Sequence, residues 1–269
     1  MKIGIVSLGL IGGSLFKKLC ETEHEIYAVT RNEETIKKAK KYCKNVSSDY
    51  QTLRACQIVF VATPINKTLE ILDILEPIVS NDCIVLDCSS VKEFVMKKNR
   101  PYKFIGSHPM AGTENSGFDA SFKELFEGAK WVLTPDNATL EKDIETTEEI
   151  IELTGAEVII ADAKEHDEAV AIISHMPLLL AQSLFDSAKD NKLALKLASS
   201  GFRDMTRLAM SNLEMAKDMR EYNAENIDTA LNKLYSSINF LKNTKDLKIY
   251  ADIKSTRKSM YSDEGKNTL

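Results

Sequence analysis

One of the four histidines in the chain, His108, lies in a polar segment punctuated by glycines, SHPMAGTENSG at residues 107–117. This segment follows the apolar run at 102–105, which predicts a strand. In α/β proteins the carboxyl ends of strands and the loops beyond them present reactive groups. An imidazole with an ordinary pKa of about 6.5 is largely neutral near pH 7 and accepts protons. We therefore predict that His108 lies in a loop, where it is a candidate catalytic residue; a histidine buried for packing is the alternative.

Composition and charge exclude several classes of function. The 269 residues carry 35 Lys and Arg against 40 Asp and Glu, a net charge of −5, which gives no general attraction to nucleic acid or to an anionic membrane. The five cysteines form no C-x-x-C pair and no metal-ligand spacing with histidine, so we expect reduced thiols and no metal. No apolar run approaches the roughly 20 residues that span a bilayer, and no cleavage site follows the apolar amino-terminus. We expect a soluble cytoplasmic protein without a nucleic-acid or membrane partner.

The first half of the chain alternates short β-branched runs with amphipathic stretches, a pattern typical of a parallel sheet covered by helices. Strands are predicted at 2–6, 25–29, 58–62, 83–87, 103–106, 130–134 and 157–160. Helices are predicted at 12–20, 33–42, 65–79, 90–98 and 140–153. Residues 1–161 are therefore predicted to form an α/β domain with a doubly wound, Rossmann-type parallel sheet.

Beyond residue 160 glycine and proline become rare, so helices are expected. We predict an all-α domain over residues 162–253, opened by a capping box that begins at Asp162, and a polar, disordered tail over 254–269. Apolar residues recur at spacings of three and four on one helix face: Ile227, Leu231, Leu234, Ile238 and Leu241. This stripe either belongs to the core of the helical domain or packs against a second copy of the chain.

The segment after the first predicted strand, SLGLIGGS, opens the first predicted helix, which is the context of the dinucleotide fingerprint G-x-G-x-x-G. Gly9 would let the backbone approach a pyrophosphate, and Gly12 would let the helix pack closely on its strand. The helix N-terminus, which begins near Leu10 and Ile11, would offer N–H groups to the anion. Ser7 stands where the first glycine of the fingerprint makes a tight turn. We predict that these five residues bind the cofactor.

The end of the second predicted strand helps to select between the two dinucleotides. Proteins that bind NAD place an acidic residue there for the ribose hydroxyls, whereas an arginine can pair with the 2′-phosphate of NADP. The residues here are Thr30 and Arg31, and no Asp or Glu adjoins them. A solvated surface arginine is the alternative and NAD stays open, but we expect NADP. Thr63 and Pro64, after the third predicted strand, complete the predicted cofactor-binding residues.

Four motifs occur in one order along the chain: LGLIGGS at 8–14, DCSSVK at 87–92, HPMAGTE at 108–114 and GFRDMTR at 201–207. Together they resemble the prephenate/arogenate dehydrogenase family of tyrosine biosynthesis. The resemblance implies oxidation of a cyclohexadienol by hydride transfer to NAD(P)⁺, with loss of the ring carboxylate as CO₂. We also expect a homodimer formed through the helical domain. Neither a chorismate mutase segment nor a C-terminal regulatory domain is expected.

The resemblance implies two residues that act on the substrate hydroxyl. His108 matches the proton acceptor of the family, and Ser90, in the S-V-K motif, would bridge that hydroxyl and His108. Ser90 would also suit the N-cap of a helix at 91–98. Both roles can coexist.

The residues that the resemblance implies for substrate binding are Arg207, His175, Glu114 and Thr113. Arg207 would bind a carboxylate through its planar guanidinium, and a surface arginine is the alternative. His175 would line the substrate pocket or be a hydrogen-bonded core histidine. Glu114 and Thr113 would lie at the entrance. Because Leu178 and Ala216 differ from the residues of some relatives, the choice between prephenate and arogenate stays open.

Two other functions remain open. One is another NADP-dependent two-domain hydroxy-acid dehydrogenase or imine reductase, in which Lys164 would transfer the proton. The other is a non-catalytic NADP(H) sensor whose helical half binds a partner. The histidines His24 and His166 are assigned no chemistry, and His166 is expected to hydrogen-bond locally. Trp131 is expected in the core.

Overall fold

The sheet contains eight strands in the computed structural model, which describes residues 1–262. They are β1 Lys2–Val6, β2 Glu25–Val29, β3 Val46–Ser47, β4 Ile58–Val61, β5 Ile84–Asp87, β6 Lys103–Pro109, β7 Lys130–Thr134 and β8 Glu157–Ile160. Their order is β3-β2-β1-β4-β5-β6-β7-β8, and every neighbouring pair is parallel except β6 and β7. The predicted Rossmann-type sheet is confirmed, with one antiparallel pair added. Because the strand order reverses between β1 and β4, a cleft opens at their carboxyl ends.

Apolar side chains on both faces of the sheet bury the helices that cover it. Along β4, Ile58 and Phe60 belong to the core on one face, whereas Val59 and Val61 belong to the core on the other. This alternation follows from the pleat of a strand that is buried on both sides. The helices of this part are α1 Leu10–Leu19, α2 Glu33–Ala39, α3 Ile65–Leu75, α4 Glu93–Met96 and α5 Glu141–Glu152. Helices α1 and α5 pack on the first face, and α3 packs on the second.

The rest of the described chain is helical, as predicted. Its helices are α6 Ala163–Val170, α7 Met176–Ala188, α8 Lys192–Leu197, α9 Ser200–Thr206, α10 Leu213–Tyr222, α11 Ala224–Asn243 and α12 Leu247–Ser262. Asp162 caps α6 by accepting the N–H groups of Lys164 and Glu165, so the predicted capping residue is confirmed. A five-residue π turn, Ala171–His175, joins α6 and α7 into one continuous helix.

Much of the apolar surface of the helical part is exposed. The continuous helix Ala163–Ala188 has an 18-residue window of mean hydropathy 1.4, of which 28% is buried. By length and composition alone this helix could cross a membrane, which departs from our expectation that no apolar run is long enough. Of the predicted apolar stripe on α11, Ile227 packs against Ala171, whereas Ile238 is exposed. The stripe is therefore core at one end and uncovered at the other.

The predicted tail is wrong for the part of it that the structure describes. Helix α12 continues to Ser262, so residues 254–262 are helical. No glycine or proline interrupts this stretch, and the hydroxyl of Tyr250 donates to the carbonyl of Leu241 at 2.7 Å, which ties α12 to α11. The remainder of the predicted tail, 263–269, lies outside the described residues.

Two predicted boundaries near His108 are also wrong. Strand β6 runs to Pro109, so His108 lies in a strand, opposite Val132 of β7, and not in a loop. The antiparallel pairing with β7 extends the strand beyond the apolar run, and a long-range pairing of this kind leaves no local signal. The helix predicted at 90–98 is only the short α4. Its first turn is capped by Asp167, which lies on α6.

Candidate active site

The turn after β1 has the conformation that a dinucleotide site requires. Ser7 has a φ of +72°, in the left-handed region that favours glycine, so this serine makes the tight turn itself. Its N–H donates to the carbonyl of Val29 at 2.8 Å. A Cβ at Gly12 would lie 1.9 Å from the carbonyl oxygen of Ser7, so only glycine lets α1 approach the turn this closely. A Cβ at Gly9 would meet no atom within 4 Å, so the backbone there faces open space.

The first turn of α1 is free to bind an anion. Gly9 is the N-cap and provides no side-chain cap, and Leu10 and Ile11 are the first two residues of the helix. The leading N–H groups of a helix have no partner within it, and the helix dipole favours negative charge there. Together with the open space at Gly9, this turn fits the pyrophosphate of a dinucleotide.

A cleft of about 270 Å³ opens beside this turn. Its walls include five of the residues predicted to bind the cofactor, which are Ser7, Thr30, Arg31, Thr63 and Pro64. The Arg31 side chain is exposed and has no hydrogen bond or ion pair with any residue of the described chain. Tyr50 and Lys67 also line the cleft, and sequence analysis missed them because they come from other segments. Lys67 lies 3.2 Å from Glu70 and brings a second cation to the cleft.

Apart from the residues that line this cleft, His108, at the carboxyl end of β6, is the first member of a hydrogen-bonded series. Its ring is half-buried, and its Nδ1 lies 2.9 Å from Nε2 of His166. Nδ1 of His166 lies 2.8 Å from Oδ1 of Asp167, and both of these residues are buried. Burial, with His166, Lys92 and His175 nearby, lowers the pKa of His108 well below its ordinary value. His108 is therefore neutral near pH 7.

Asp167 also joins the two parts of the chain. Its Oδ1 accepts the backbone N–H of Lys92 at 2.7 Å, and its Oδ2 accepts that of Glu93 at 2.8 Å. The carboxylate of α6 thus caps the first turn of α4. The expectation that Ser90 caps this helix is wrong, because the helix starts three residues later and Asp167 takes that role. The hydroxyl of Ser90 is buried and has no hydrogen-bond partner within residues 1–262.

A buried ion pair supports the strand that carries His108. Lys92 and Asp87 are in direct contact, and both side chains are fully buried. Nζ of Lys92 also donates to the carbonyl of Ser107 at 2.6 Å, and Oδ1 of Asp87 accepts the N–H of Ser107 at 3.0 Å. The indole of Trp131, in the core as expected, donates to the Ser107 hydroxyl at 3.1 Å. These bonds hold the backbone next to His108 in one position.

His175 lies in the same region, on the π turn. It is 2% exposed, and its Nδ1 lies 3.1 Å from Nδ2 of Asn223. Burial lowers the pKa of His175 to about 4, with Asp167 opposing that shift and His166 adding to it. Because an amide NH₂ only donates, Nδ1 of the neutral ring is the acceptor and Nε2 carries the hydrogen. That Nε2 is buried without a hydrogen-bond partner in the described part of the chain.

The other residues predicted to bind substrate are exposed. Arg207 begins the 3₁₀ turn Arg207–Met210, and no residue among 1–262 forms a hydrogen bond or an ion pair with its side chain. This turn packs beside α7, because Leu208 contacts the cluster that contains Leu178. Glu114 and Thr113 lie in the exposed segment after β6. No hydrogen bond in the described chain joins these three side chains to His108.

Sequence analysis missed three residues that form hydrogen bonds in this region of the structure. His166 was assigned no chemistry, yet it contacts His108, and neither Asp167 nor Asn223 was singled out. The available signal was the His-Asp pair directly after the capping box at Asp162, where the second domain begins. Lys164, the proton donor of the alternative function, is exposed and lies 3.9 Å from Glu168.

The chain was compared with known protein families. The prephenate dehydrogenase nucleotide-binding domain matches residues 13–160, and the prephenate dehydrogenase dimerization domain matches residues 162–248. The prephenate dehydrogenase of Lactococcus lactis subsp. cremoris is 35% identical over 222 residues, which cover 77% of this chain and 61% of that protein. The chain therefore spans less than two thirds of the length of this relative.

Solved structures match over nearly the whole chain. Arogenate dehydrogenase from Synechocystis has a TM-score of 0.82 and 32% identity, with 99% of both chains covered. Prephenate dehydrogenase from A. aeolicus, in complex with hydroxyphenyl propionate and NAD⁺, has a TM-score of 0.81 and 28% identity, with 98% of this chain and 96% of that chain covered.

Proposed function

This chain belongs to the prephenate dehydrogenase family, and from that premise we propose that it oxidises prephenate or arogenate, with decarboxylation, and transfers the hydride to NAD(P)⁺. The products are 4-hydroxyphenylpyruvate and tyrosine, respectively. One observation carries the proposal: His108 is a neutral imidazole at the carboxyl end of β6 whose Nδ1 is bonded to His166, while its Nε2 has no partner among the described residues. Such a nitrogen is the acceptor that oxidation of an alcohol needs.

In the proposed mechanism, Nε2 of His108 accepts the proton of the substrate hydroxyl as the carbon that bears this hydroxyl loses a hydride. A bound NAD(P)⁺ supplies the hydride acceptor. Loss of the ring carboxylate as CO₂ then makes the ring aromatic, and the phenolate oxygen takes back the proton from His108. The hydroxyl of Ser90, which is buried without a partner in the described chain, bonds to the same substrate oxygen and holds it in line with His108.

Two residues bind the acidic groups of the substrate in this proposal. The guanidinium of Arg207 is unpaired within the described residues, so it is free to bind a carboxylate through two parallel N–H groups. The buried Nε2–H of His175 donates to a substrate oxygen, which satisfies a donor that otherwise lacks a partner. Glu114 and Thr113, on the exposed segment after β6, form the entrance.

For the cofactor we propose NADP in preference to NAD. Two cations, Arg31 and Lys67, line the cleft at the end of β2, where the adenosine ribose binds in this fold. A 2′-phosphate would pair with Arg31, whereas a ribose hydroxyl would leave Arg31 without a partner; Lys67 already lies 3.2 Å from Glu70, which also lines the cleft. The relative from A. aeolicus was solved with NAD⁺, so this preference would distinguish the two proteins.

We also propose that two copies of the chain form a soluble, cytoplasmic homodimer through the helical domain. The matching family domain is described as a dimerization domain. The exposed apolar residues of the continuous helix, such as Ile172 and Ile173, and of α8, such as Leu193 and Leu197, would be covered in such a dimer. Burial in a protein contact, and not in a bilayer, then accounts for the hydropathy of Ala163–Ala188.

The test is a set of initial rates with prephenate and with arogenate, each measured against NAD⁺ and NADP⁺. We expect turnover of at least one of the two substrates, with the higher kcat/KM on NADP⁺. Activity on simple hydroxy acids with both ring substrates inert would overturn the proposal in favour of another hydroxy-acid dehydrogenase. Tight binding of NADP(H) without turnover of any substrate would indicate a sensor.

A further inference from the structure

His166 and Asp167 fit a role in the reaction that goes beyond binding the substrate. They come from α6, whereas His108 comes from β6, so the series of hydrogen bonds crosses between the helical part and the sheet. The two imidazole rings have centroids 5.1 Å apart and planes inclined at 77°. Their contact is therefore made through ring nitrogens and not through stacked faces.

The direction of each hydrogen bond follows from its acceptor. A carboxylate has no hydrogen to donate, so Nδ1 of His166 carries the hydrogen that it shares with Asp167. In a neutral His166, Nε2 is then bare and accepts from Nδ1–H of His108. A neutral His108 with its hydrogen on Nδ1 has a bare Nε2. Each partner thus determines which nitrogen of the next ring carries hydrogen.

We propose that His166 and Asp167 are positioning residues that keep the hydrogen of His108 on Nδ1 and leave Nε2 free to accept the proton of the substrate. This inference rests on the proposed function. A neutral imidazole with its hydrogen on Nε2 would present a donor to the substrate hydroxyl and could not take its proton. The series of hydrogen bonds from His108 through His166 to Asp167, which we call the relay, therefore selects the one tautomer of His108 that can accept the proton.

The relay also stabilises the charge that the reaction creates. When Nε2 of His108 gains a proton, the ring becomes positive in a partly buried site, where an isolated charge is costly. Nδ1–H then donates to His166, and His166 donates to the anionic Asp167, so the positive charge lies at one end of a series that ends in a carboxylate. The backbone N–H groups of Lys92 and Glu93 hold that carboxylate in place.

A purely structural role for Asp167 makes a different prediction, and the chain offers a matched control. Asp218, on α10, is buried and accepts the backbone N–H of Asn66, in the first turn of α3, at 3.3 Å. Like Asp167, it joins the helical part to the start of a helix of the sheet domain, but it has no hydrogen bond to a histidine of the site. Asp218→Asn therefore measures how far kcat falls when such a cap alone is weakened.

The kinetic experiment compares His166→Leu, His166→Gln, Asp167→Asn and Asp218→Asn in the full-length protein. We expect His166→Leu to lower kcat by about 10²-fold, at the low end of what a general base contributes, with little change in the KM of the dinucleotide. Glutamine can present an amide oxygen to Nδ1–H of His108, so His166→Gln should recover at least tenfold over the leucine variant. Asp167→Asn should lose more kcat than Asp218→Asn. Equal losses in the two asparagine variants, or no recovery by glutamine, would overturn the relay.

A second measurement needs no substrate. Nitrogen-15 NMR of histidine-labelled protein distinguishes a bare ring nitrogen from a protonated one, and the chain has only four histidines, so His24→Asn and His108→Asn identify two of the signals. We expect a bare Nε2 on His108 in the wild type and hydrogen shifted onto Nε2 in His166→Leu. Hydrogen on Nε2 of His108 in the wild type, as a charged His166 would impose, contradicts the proposal. If neither ring substrate is turned over, the proposed function fails, but this measurement still decides the tautomer.

Discussion

At the cofactor end of the site, which is the cleft beside β1, exposed cations lie on one domain, whereas at the reaction end, around His108, buried histidines are held between two domains. Arg31 and Lys67 face solvent from segments of the sheet domain. His108 is on β6, but its partners His166 and Asp167 are on α6, and these two partners are 3% and 1% exposed. The first region depends on local turns, and the second depends on the contact between domains.

This difference determines how each region responds to change. Charges in solvent are screened within about 8–10 Å at ordinary ionic strength, so a single exposed cation has a modest effect. Buried hydrogen bonds in a series strengthen one another, and an unpaired group there incurs its full desolvation cost. We therefore expect substitutions at the reaction end to act on kcat and stability, and those at the cofactor end to act on dinucleotide affinity.

The largest expected effect is at His108. Its replacement by asparagine removes the proton acceptor and should lower kcat by about 10²–10⁴-fold, because that is the usual contribution of a general base. Dinucleotide binding, measured by fluorescence titration, should be unchanged, since the cofactor cleft is built from other residues. Turnover near that of the wild type would remove the distinction between the cofactor end and the reaction end.

Two glycines of the first turn at the cofactor end should affect different properties: Gly12 the stability of the fold, and Gly9 the binding of the dinucleotide. Gly12→Ala would place a Cβ 1.9 Å from the carbonyl oxygen of Ser7 and should reduce the free energy of unfolding by about 3 kcal/mol. Gly9→Ala meets no protein atom within 4 Å, so it should cost about 1 kcal/mol or less but weaken dinucleotide binding at least tenfold. Urea unfolding and dinucleotide titration of both variants check this. Similar stability losses in the two variants would contradict it.

Acidification should destabilise the reaction end through His175. Burial lowers its pKa from the ordinary 6.5 to about 4, so between these values the unfolded chain binds a proton that the folded chain does not. This contribution to stability is complete above about pH 6.5 and is lost as pH falls towards 4, by about 2 kcal/mol at pH 5. In His175→Gln, unfolding free energies at pH 7.5 and pH 5 should differ by about that much less than in the wild type. An unchanged difference would mean that His175 does not titrate as described.

Cofactor preference should respond to Arg31. Arg31→Asp should lower the ratio of kcat/KM for NADP⁺ to that for NAD⁺ by about tenfold or more, because an acidic side chain repels a 2′-phosphate and accepts ribose hydroxyls. Lys37→Asp, on the exposed face of α2 and outside the cleft, makes the same change in net charge and serves as the control. An equal shift in both variants would assign the effect to net charge and not to the cleft.

The smallest expected effect is at Ser7. A left-handed backbone conformation costs a residue with a Cβ about 1–2 kcal/mol, and glycine loses about 0.5–1 kcal/mol through its greater freedom in the unfolded chain. Ser7→Gly should therefore raise the free energy of unfolding by roughly 0.5 kcal/mol, as measured by urea unfolding. A clear loss of stability would show that the serine side chain contributes to the turn.

The turn after β1 could be predicted from sequence because its geometry is local, whereas Tyr50 and Lys67, which line the cleft from other segments, could not. Ser7, Gly9 and Gly12 lie within six residues, and β1 and β2 have the predicted bounds. The reaction end could be predicted only in part. His108 carried a recognisable motif, but the segment that holds it pairs with β7, and that pairing depends on residues more than 20 positions away.

The partners of His108 could not be predicted, for the same physical reason. His166 lies 58 residues along the chain from His108, and a local pattern gives no sign of that contact. Ser90 had the residue type of a helix cap, yet Asp167 caps α4 from another domain. Tertiary contacts override local preference where two domains meet.

His166 and His175 lie nine residues apart on one continuous helix. In an ideal α-helix, at roughly 100° per residue, they would point about 180° apart, in opposite directions. The wider π turn Ala171–His175 changes that angular phase, and Asn223 donates both to His175 and to the carbonyl of Asp167. The number of residues in this turn therefore sets the direction of His175, and a single deletion there would rotate it away while every residue of the site kept its identity.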